Sequence, residues 1–171
     1  MTPDWIQIDP LAFAVLTFVT AQRLAELIYA RGNEARLMRT GGIEHGAAHY
    51  PLIVALHAAW LIGLWLLAIG TRPHLGWLAA FCVLQGLRVW VLVTLGARWT
   101  TRIVVLPGTA PIRSGPYRFL SHPNYAIVAA EIFVLPMAFG LMSYALAFSA
   151  LNAIVLAIRI RAENIALASV S

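Results

Sequence analysis

Arg113-Ser114-Gly115-Pro116-Tyr117-Arg118-Phe119-Leu120-Ser121-His122-Pro123-Asn124-Tyr125 is a polar, turn-rich stretch in a 171-residue chain that is 61% hydrophobic. Gly115-Pro116 marks a turn. Pro123 bars His122 from the α region and is itself well placed to start a helix. His122 is therefore expected at a helix mouth, beside backbone amides of the Gly115–Tyr117 turn that favour a carboxylate or another anion. A turn that only re-enters a helix has no need of Tyr117, Arg118, His122 and Tyr125 together. This is where chemistry is to be sought.

The residues on either side of this stretch form apolar runs. Leu11–Tyr29 is long enough to cross a bilayer and carries Gln22, Arg23 and Glu26 late in the run. Arg23 and Glu26 are three apart, share a face and are expected to pair. The helix should continue past Arg31, Asn33, Glu34, Arg36 and Arg39 and stop at Gly41-Gly42. A polar loop with Glu44, His45, His49 and Tyr50 follows. His45 and His49 are four apart, but the neighbouring glycines argue against a rigid metal-ligand face, so helix entrance or pocket wall is the better reading. A second crossing spans about Pro51–Ile69 with His57 inside it, which reads as a hydrogen-bond partner. A third spans Trp77–Leu95 and holds Gln85 and Arg88. Residues 96–113 leave the apolar region with a short β-like or interfacial stretch. The fourth helix starts at about Pro123, carries Glu131, should kink at Pro136 and reaches Gly140. The fifth runs from about Ser143 to Ala162, so the last two form a tight hairpin, each short or interrupted.

The expected fold is thus an all-α polytopic membrane protein, a single domain of five transmembrane helices, the last two folded over a cytoplasm-facing pocket. Composition agrees: 11% of residues are charged, against about 25% in soluble domains. All twelve basic residues are arginine. Arg23, Arg31, Arg36, Arg39, Arg98, Arg102, Arg113, Arg118, Arg159 and Arg161 fall on one side of this topology, and Arg72 on the other with Asp4 and Asp9. By the positive-inside rule the N-terminus is outside and the C-terminus cytoplasmic, in the inner membrane of a bacterium, with Trp5 as an interfacial anchor. No basic region precedes the first apolar run, which reads as a retained helix. No basic run interleaved with aromatics suggests nucleic acid, and one cysteine, Cys82, excludes an internal disulfide.

Arg23, Glu26, Arg88 and Glu131 lie at membrane depth, where charges must be paired or hydrated. One cavity lined by them and open to the cytoplasm is the economical expectation, taking a substrate with a polar head and apolar tail. The sequence has no Gly-x-Gly dinucleotide loop, phosphate-binding lysine, His-Glu-x-x-His or serine elbow.

The order Gly115-Pro116-Tyr117-Arg118, Ser121-His122-Pro123-Asn124-Tyr125 and Arg159-x-x-x-Glu163 resembles the integral-membrane isoprenylcysteine carboxyl methyltransferase family. Trp99-Thr100 looks like the family's as well. Gln22-Arg23-Leu24-x-Glu26, Asn33-Glu34, Glu44-x-Gly46 and His49-Tyr50-Pro51 are similar to a bacterial branch associated with O-methylation of alkylpyrones made by type III polyketide synthases. Ser121 stands where the family motif usually has arginine, and Asn164 where a second glutamate is common.

The resemblance implies an S-adenosylmethionine-dependent O-methyltransferase. Tyr117, Arg118, His122, Pro123, Tyr125 and Glu163 would form the cofactor pocket. Arg88 or Arg159 would stand near the substrate's anionic oxygen, with His122 beside the reaction. Arg23, Glu26, His49, His57 and Glu131 would line the path of a lipophilic substrate arriving from the bilayer. A carboxylate needs no base, whereas an enol could use His122, His49 or Glu26. Competing readings are a lipid or sterol-type reductase on a similar fold, and a small transport or lipid-binding protein. Binding of S-adenosylhomocysteine separates them.

Overall fold

The computed structural model describes residues 7–168. Asp4 and Trp5, assigned above to the outer face, lie outside them. Five α-helices run alternately up and down: α1 (Pro10–Arg39), α2 (Tyr50–Ala68), α3 (Leu75–Leu95), α4 (Pro123–Ala138) and α5 (Met142–Ala168). Asp9 caps α1 by accepting from the amides of Leu11 and Ala12, with Pro10 at the first helical position. Glycines 41 and 42 follow its C-terminus, as the sequence suggests.

Four of these helices, α1, α2, α3 and α5, are long and apolar enough to cross a membrane, and α4 is a shorter apolar helix. Only 17–22% of each spanning window is buried within the protein. The exposed remainder is rich in Leu, Ile, Val and Phe, among them Ile28, Leu66, Val83 and Val93, a surface that lipid covers and water would not tolerate.

The largest core lies toward the end of the bundle that holds Asp9. Ala12, Leu16 and Val19 of α1 meet Trp60, Leu64 and Ala68 of α2 and Ile132, Leu135 and Ala138 of α4. Pro136 sits inside α4 and cannot donate to the carbonyl of Ile132 four residues back. The indole of Trp60 donates to that carbonyl instead, at 3.3 Å. α4 ends two residues after the proline.

α5 departs from expectation. It is one uninterrupted helix of 27 residues, six beyond the predicted end, and so is neither short nor broken. The second departure is β structure. Ile43–His45 (β1) pairs antiparallel with Ile103–Val105 (β2) in the register Ile43–Val105, Glu44–Val104, His45–Ile103. Of the two readings of the stretch after the third helix, β-like or interfacial, the structure shows a strand, and its partner comes from the start of the polar loop. Residues 47–49 and 96–98 are single 3-10 turns, and a third covers Gly115–Arg118.

Candidate active site

Gly115 has φ +57°, and a Cβ there would lie 2.5 Å from Thr94 Oγ1. Glycine therefore lets the turn fold closely against α3. The turn positions Tyr117. His122, with φ −131° and ψ 62°, is the non-helical residue at the mouth of α4, as Pro123 requires. One turn into α4, the ring of Tyr125 stacks on that of His122, with centroids 5.4 Å apart and planes within 17°. Across from them α5 presents Arg159 and Glu163, four apart on one face.

These side chains converge on one cavity of about 220 Å³, lined by Tyr117, His122, Tyr125, Arg159 and Glu163. Arg159 Nε donates to the Tyr125 hydroxyl at 2.8 Å, and that hydroxyl donates to Glu163. Arg159 Nη2 donates to the carbonyl of Thr101 at 2.7 Å. His122 faces Glu163 at 3.7 Å through Nδ1 and Asn164 Oδ1 at 3.2 Å through Nε2. Arg159 is buried, yet among the described residues it makes no ion pair with a carboxylate. Burial, reinforced by the charge of Glu163, pushes the Tyr117 phenol above its usual range, so it stays protonated.

The other wall is the segment 98–112, which supplies Arg98, Trp99, Thr100, Arg102 and residues of β2. The cavity thus sits at the open end of the α4–α5 pair, walled as much by this segment as by the helices. Arg102 pairs with Glu44 at 2.8 Å and Glu34 at 3.2 Å and lies over the ring of Tyr50. The hydrogen bond to Glu44, with the neighbouring Glu34, raises the Arg102 pKa further. Asn33 Nδ2 donates to the carbonyls of Trp99 and Gly96.

A second group is separate. Arg88 of α3 donates through Nε and Nη2 to Glu26, each at 2.5 Å, and through Nη1 to Glu131 at 3.0 Å. Arg23 completes the ring to Glu26 at 3.1 Å and Glu131 at 2.7 Å. Gln22 and Gln85 bridge the same carboxylates. Two positive and two negative charges therefore neutralise one another among α1, α3 and α4. The expected pairing of Arg23 with Glu26 is present, but these groups do not share the cavity lined by Tyr117, His122 and Glu163. None of Arg23, Glu26, Arg88 and Glu131 lines the cavity. Their charges are satisfied by each other, which leaves no guanidinium to turn toward it.

The remaining candidates scatter. His57 Nδ1 donates to the Ile53 carbonyl of its own helix, 2.8 Å away. The His49 ring lies against Gly46, whose φ is +64° and whose missing Cβ leaves it room. Arg118 is exposed, with its guanidinium 6.0 Å from the Phe119 ring. Pro123 faces a different space, an apolar groove of about 260 Å³ between α3 and the Gly115–Leu120 turn. The amide of Tyr117, expected to be free for an anion, instead donates to Ser114 O at 3.1 Å, closing the 3-10 turn. Thr101 and Asn164 were not read as contacts for the site. Arg98 and Arg102 entered only as topology charges, because their partners lie far along the chain.

The chain matches the model of the isoprenylcysteine carboxyl methyltransferase (ICMT) family over residues 77–169. It is 38% identical over 158 residues to YpbQ, an uncharacterized protein of Bacillus subtilis, which covers 90% of this chain and 94% of that one. An uncharacterized protein of Haemophilus influenzae is 25% identical over 166 residues, 92% of this chain and 96% of its own. No solved structure matches.

Proposed function

The chain belongs to the isoprenylcysteine carboxyl methyltransferase family, and from that premise we propose an S-adenosylmethionine-dependent O-methyltransferase acting on a lipophilic substrate with an acidic oxygen. When bound, S-adenosylmethionine supplies an electrophilic methyl on a sulfonium sulfur. The cavity residues fit such a group. Glu163 offers a carboxylate to ribose hydroxyls or an ammonium. Arg98 offers positive charge to a carboxylate, and the stacked His122 and Tyr125 rings offer an aromatic face. Tyr117, protonated, closes the side toward α3. Pro123 serves by fixing His122, and Arg118, exposed and outside the cavity lining, is given no cofactor contact.

The observation that carries the reading is the chain of contacts from Arg159 through Tyr125 to Glu163. It holds a buried guanidinium that has no ion pair with a carboxylate among the described residues, one hydroxyl away from the carboxylate that faces His122. A buried cation in that state attracts an anionic oxygen. Arg159 is therefore assigned to orient the substrate's nucleophilic oxygen, a role Arg88 cannot share while Glu26 and Glu131 occupy it. Carboxylate is already ionised at neutral pH. An enol would pass its proton to His122, the one candidate base that lines the cavity. The chain's contribution is alignment in a water-poor site.

The hydrocarbon part of the substrate is assigned to the apolar groove, where Leu84, Leu87, Trp90, Phe119, Leu120 and Ile127 offer no charge. Pro116 and Pro123 wall this groove on the reverse side of the turn that carries Tyr117 and His122. Arg23, Glu26, His57 and Glu131 support the substrate path by fixing α1 and α3 against α4. An alkylpyrone enol, the product of a type III polyketide synthase, is the substrate we favour, with an isoprenylcysteine-like carboxylate as the alternative. The chain is assigned to a bacterial inner membrane with five crossings and a cytoplasmic C-terminus.

Calorimetry of S-adenosylhomocysteine with detergent-purified protein is the test. Micromolar binding weakened at least tenfold in His122→Ala, together with label transfer from methyl-labelled cofactor into an extractable lipid, supports the assignment. No binding up to millimolar ligand by folded protein would sink it.

A further inference from the structure

The wall formed by residues 96–112 has little structure of its own. It contains one 3-10 turn and one strand of three residues, and a two-stranded ribbon that short does not hold itself together. Ile103 and Val105 pack on Ala166 of α5, and Trp99 on Val91 and Ile127, but most of its polar anchors come from residues 33–50, outside the span matched by the family. Asn33 donates to the carbonyls of Gly96 and Trp99, and Arg36 to that of Ala97 at 2.9 Å. Glu34 and Glu44 hold Arg102. The Tyr50 hydroxyl meets Thr101 Oγ1 at 3.0 Å, and β1 supplies the ladder for β2.

The wall is also tied to the chemistry. Thr101, braced by Tyr50 on one side, gives its carbonyl to Arg159 Nη2 on the other. Arg159 in turn holds the Tyr125 hydroxyl, and Tyr125 holds Glu163. A displacement of the wall therefore displaces the buried guanidinium and the acid.

We propose that residues 33–50 form a clamp that sets the cofactor affinity of the cavity, with Glu34 and Glu44 acting as positioning residues through Arg102. This rests on the cofactor reading above and extends it to a part of the chain that never touches the ligand. The clamp pairs are partly exposed, with side-chain exposures of 20% for Glu34, 21% for Glu44 and 36% for Arg102. Each pair alone is therefore worth a few-fold at most, and the two together about tenfold.

The test uses the full chain in detergent, with S-adenosylhomocysteine as the probe and hydrogen exchange as a second readout. Glu34→Gln/Glu44→Gln should weaken binding about tenfold and speed amide exchange at residues 99–106, while exchange in the interior of α3 and α5 stays as in wild type. Arg102→Gln should weaken binding in the same direction, and the triple variant should be no worse than the worse of the two. A bulk charge effect would move the acid and arginine variants in opposite directions and would overturn the clamp. So would unchanged affinity in the double variant, or faster exchange throughout the molecule, which means general destabilisation. Wild-type protein that binds no S-adenosylhomocysteine removes the cofactor reading itself, and the clamp with it. Wild-type binding with unaffected variants removes the clamp alone.

Discussion

At the scale of single residues the Tyr125 hydroxyl is the junction of the site. It accepts from Arg159 and donates to Glu163, so one oxygen links a buried cation to the acid facing His122. Tyr125→Phe keeps the ring stacked on His122 and removes only that oxygen. Arg159 Nε then loses its acceptor while buried, at a cost of about 1–3 kcal/mol. We expect a small fall in melting temperature and about tenfold weaker S-adenosylhomocysteine binding, as lost alignment of Arg159 and Glu163 implies. Calorimetry and a thermal melt on the same preparation check this, and affinity equal to wild type refutes the junction. His122 and Tyr125 were legible because His122-Pro123 fixes local backbone without any tertiary help, whereas Arg159 and Glu163 were legible only through the family resemblance. Asn164 was legible only as a departure from a family pattern. Its contact with His122, 42 positions away, has no local signature.

At the scale of elements, α1, α3 and α4 are joined by the Arg23–Glu26–Arg88–Glu131 ring, a device stronger by placement than by net energy. Charges buried together roughly offset their desolvation, but removing one partner strands the others. Arg88→Met leaves two carboxylates sharing Arg23 and should cost about 3–5 kcal/mol, enough to unfold much of the protein in detergent. Arg88→Met/Glu26→Leu restores neutrality, leaving Arg23 with Glu131, and should recover most of that loss. Thermal unfolding of the two variants decides it, and a double variant as unstable as the single one contradicts the charge-balance account. The sequence showed each ionisable residue inside an apolar helix. It showed Arg23 with Glu26 but not the partners of Arg88 and Glu131, since Arg88 reaches Glu26 across 62 positions and Glu131 across 43.

At the scale of the whole molecule, nine of the arginines gather toward one end, where α1, α3 and α5 finish and α4 begins, and the cavity opens there. Arg72 stands at the other end, beside the link from His74 N to Ala138 O at 2.7 Å. The positive-inside rule is the basis of our proposal that this face is inward. In a Cys82→Ser background, Thr71→Cys should react with a membrane-impermeant maleimide on intact cells. Ala35→Cys should react only after lysis, and labelling in the reverse order would invert the topology. The amino-acid order by itself determined the five helices, where four of them begin or stop, the uneven arginines and the turn-rich stretch of the candidate site, though not the end of α5. These follow from hydrophobic periodicity, proline and glycine, which act within a few residues. Only the tertiary structure decided that Arg88 is neutralised and Arg159 is not, and that a loop and a β-like stretch are one ribbon walling the cavity. Coulombic pairing and strand pairing depend on distance in space, and separation along the chain does not reveal it.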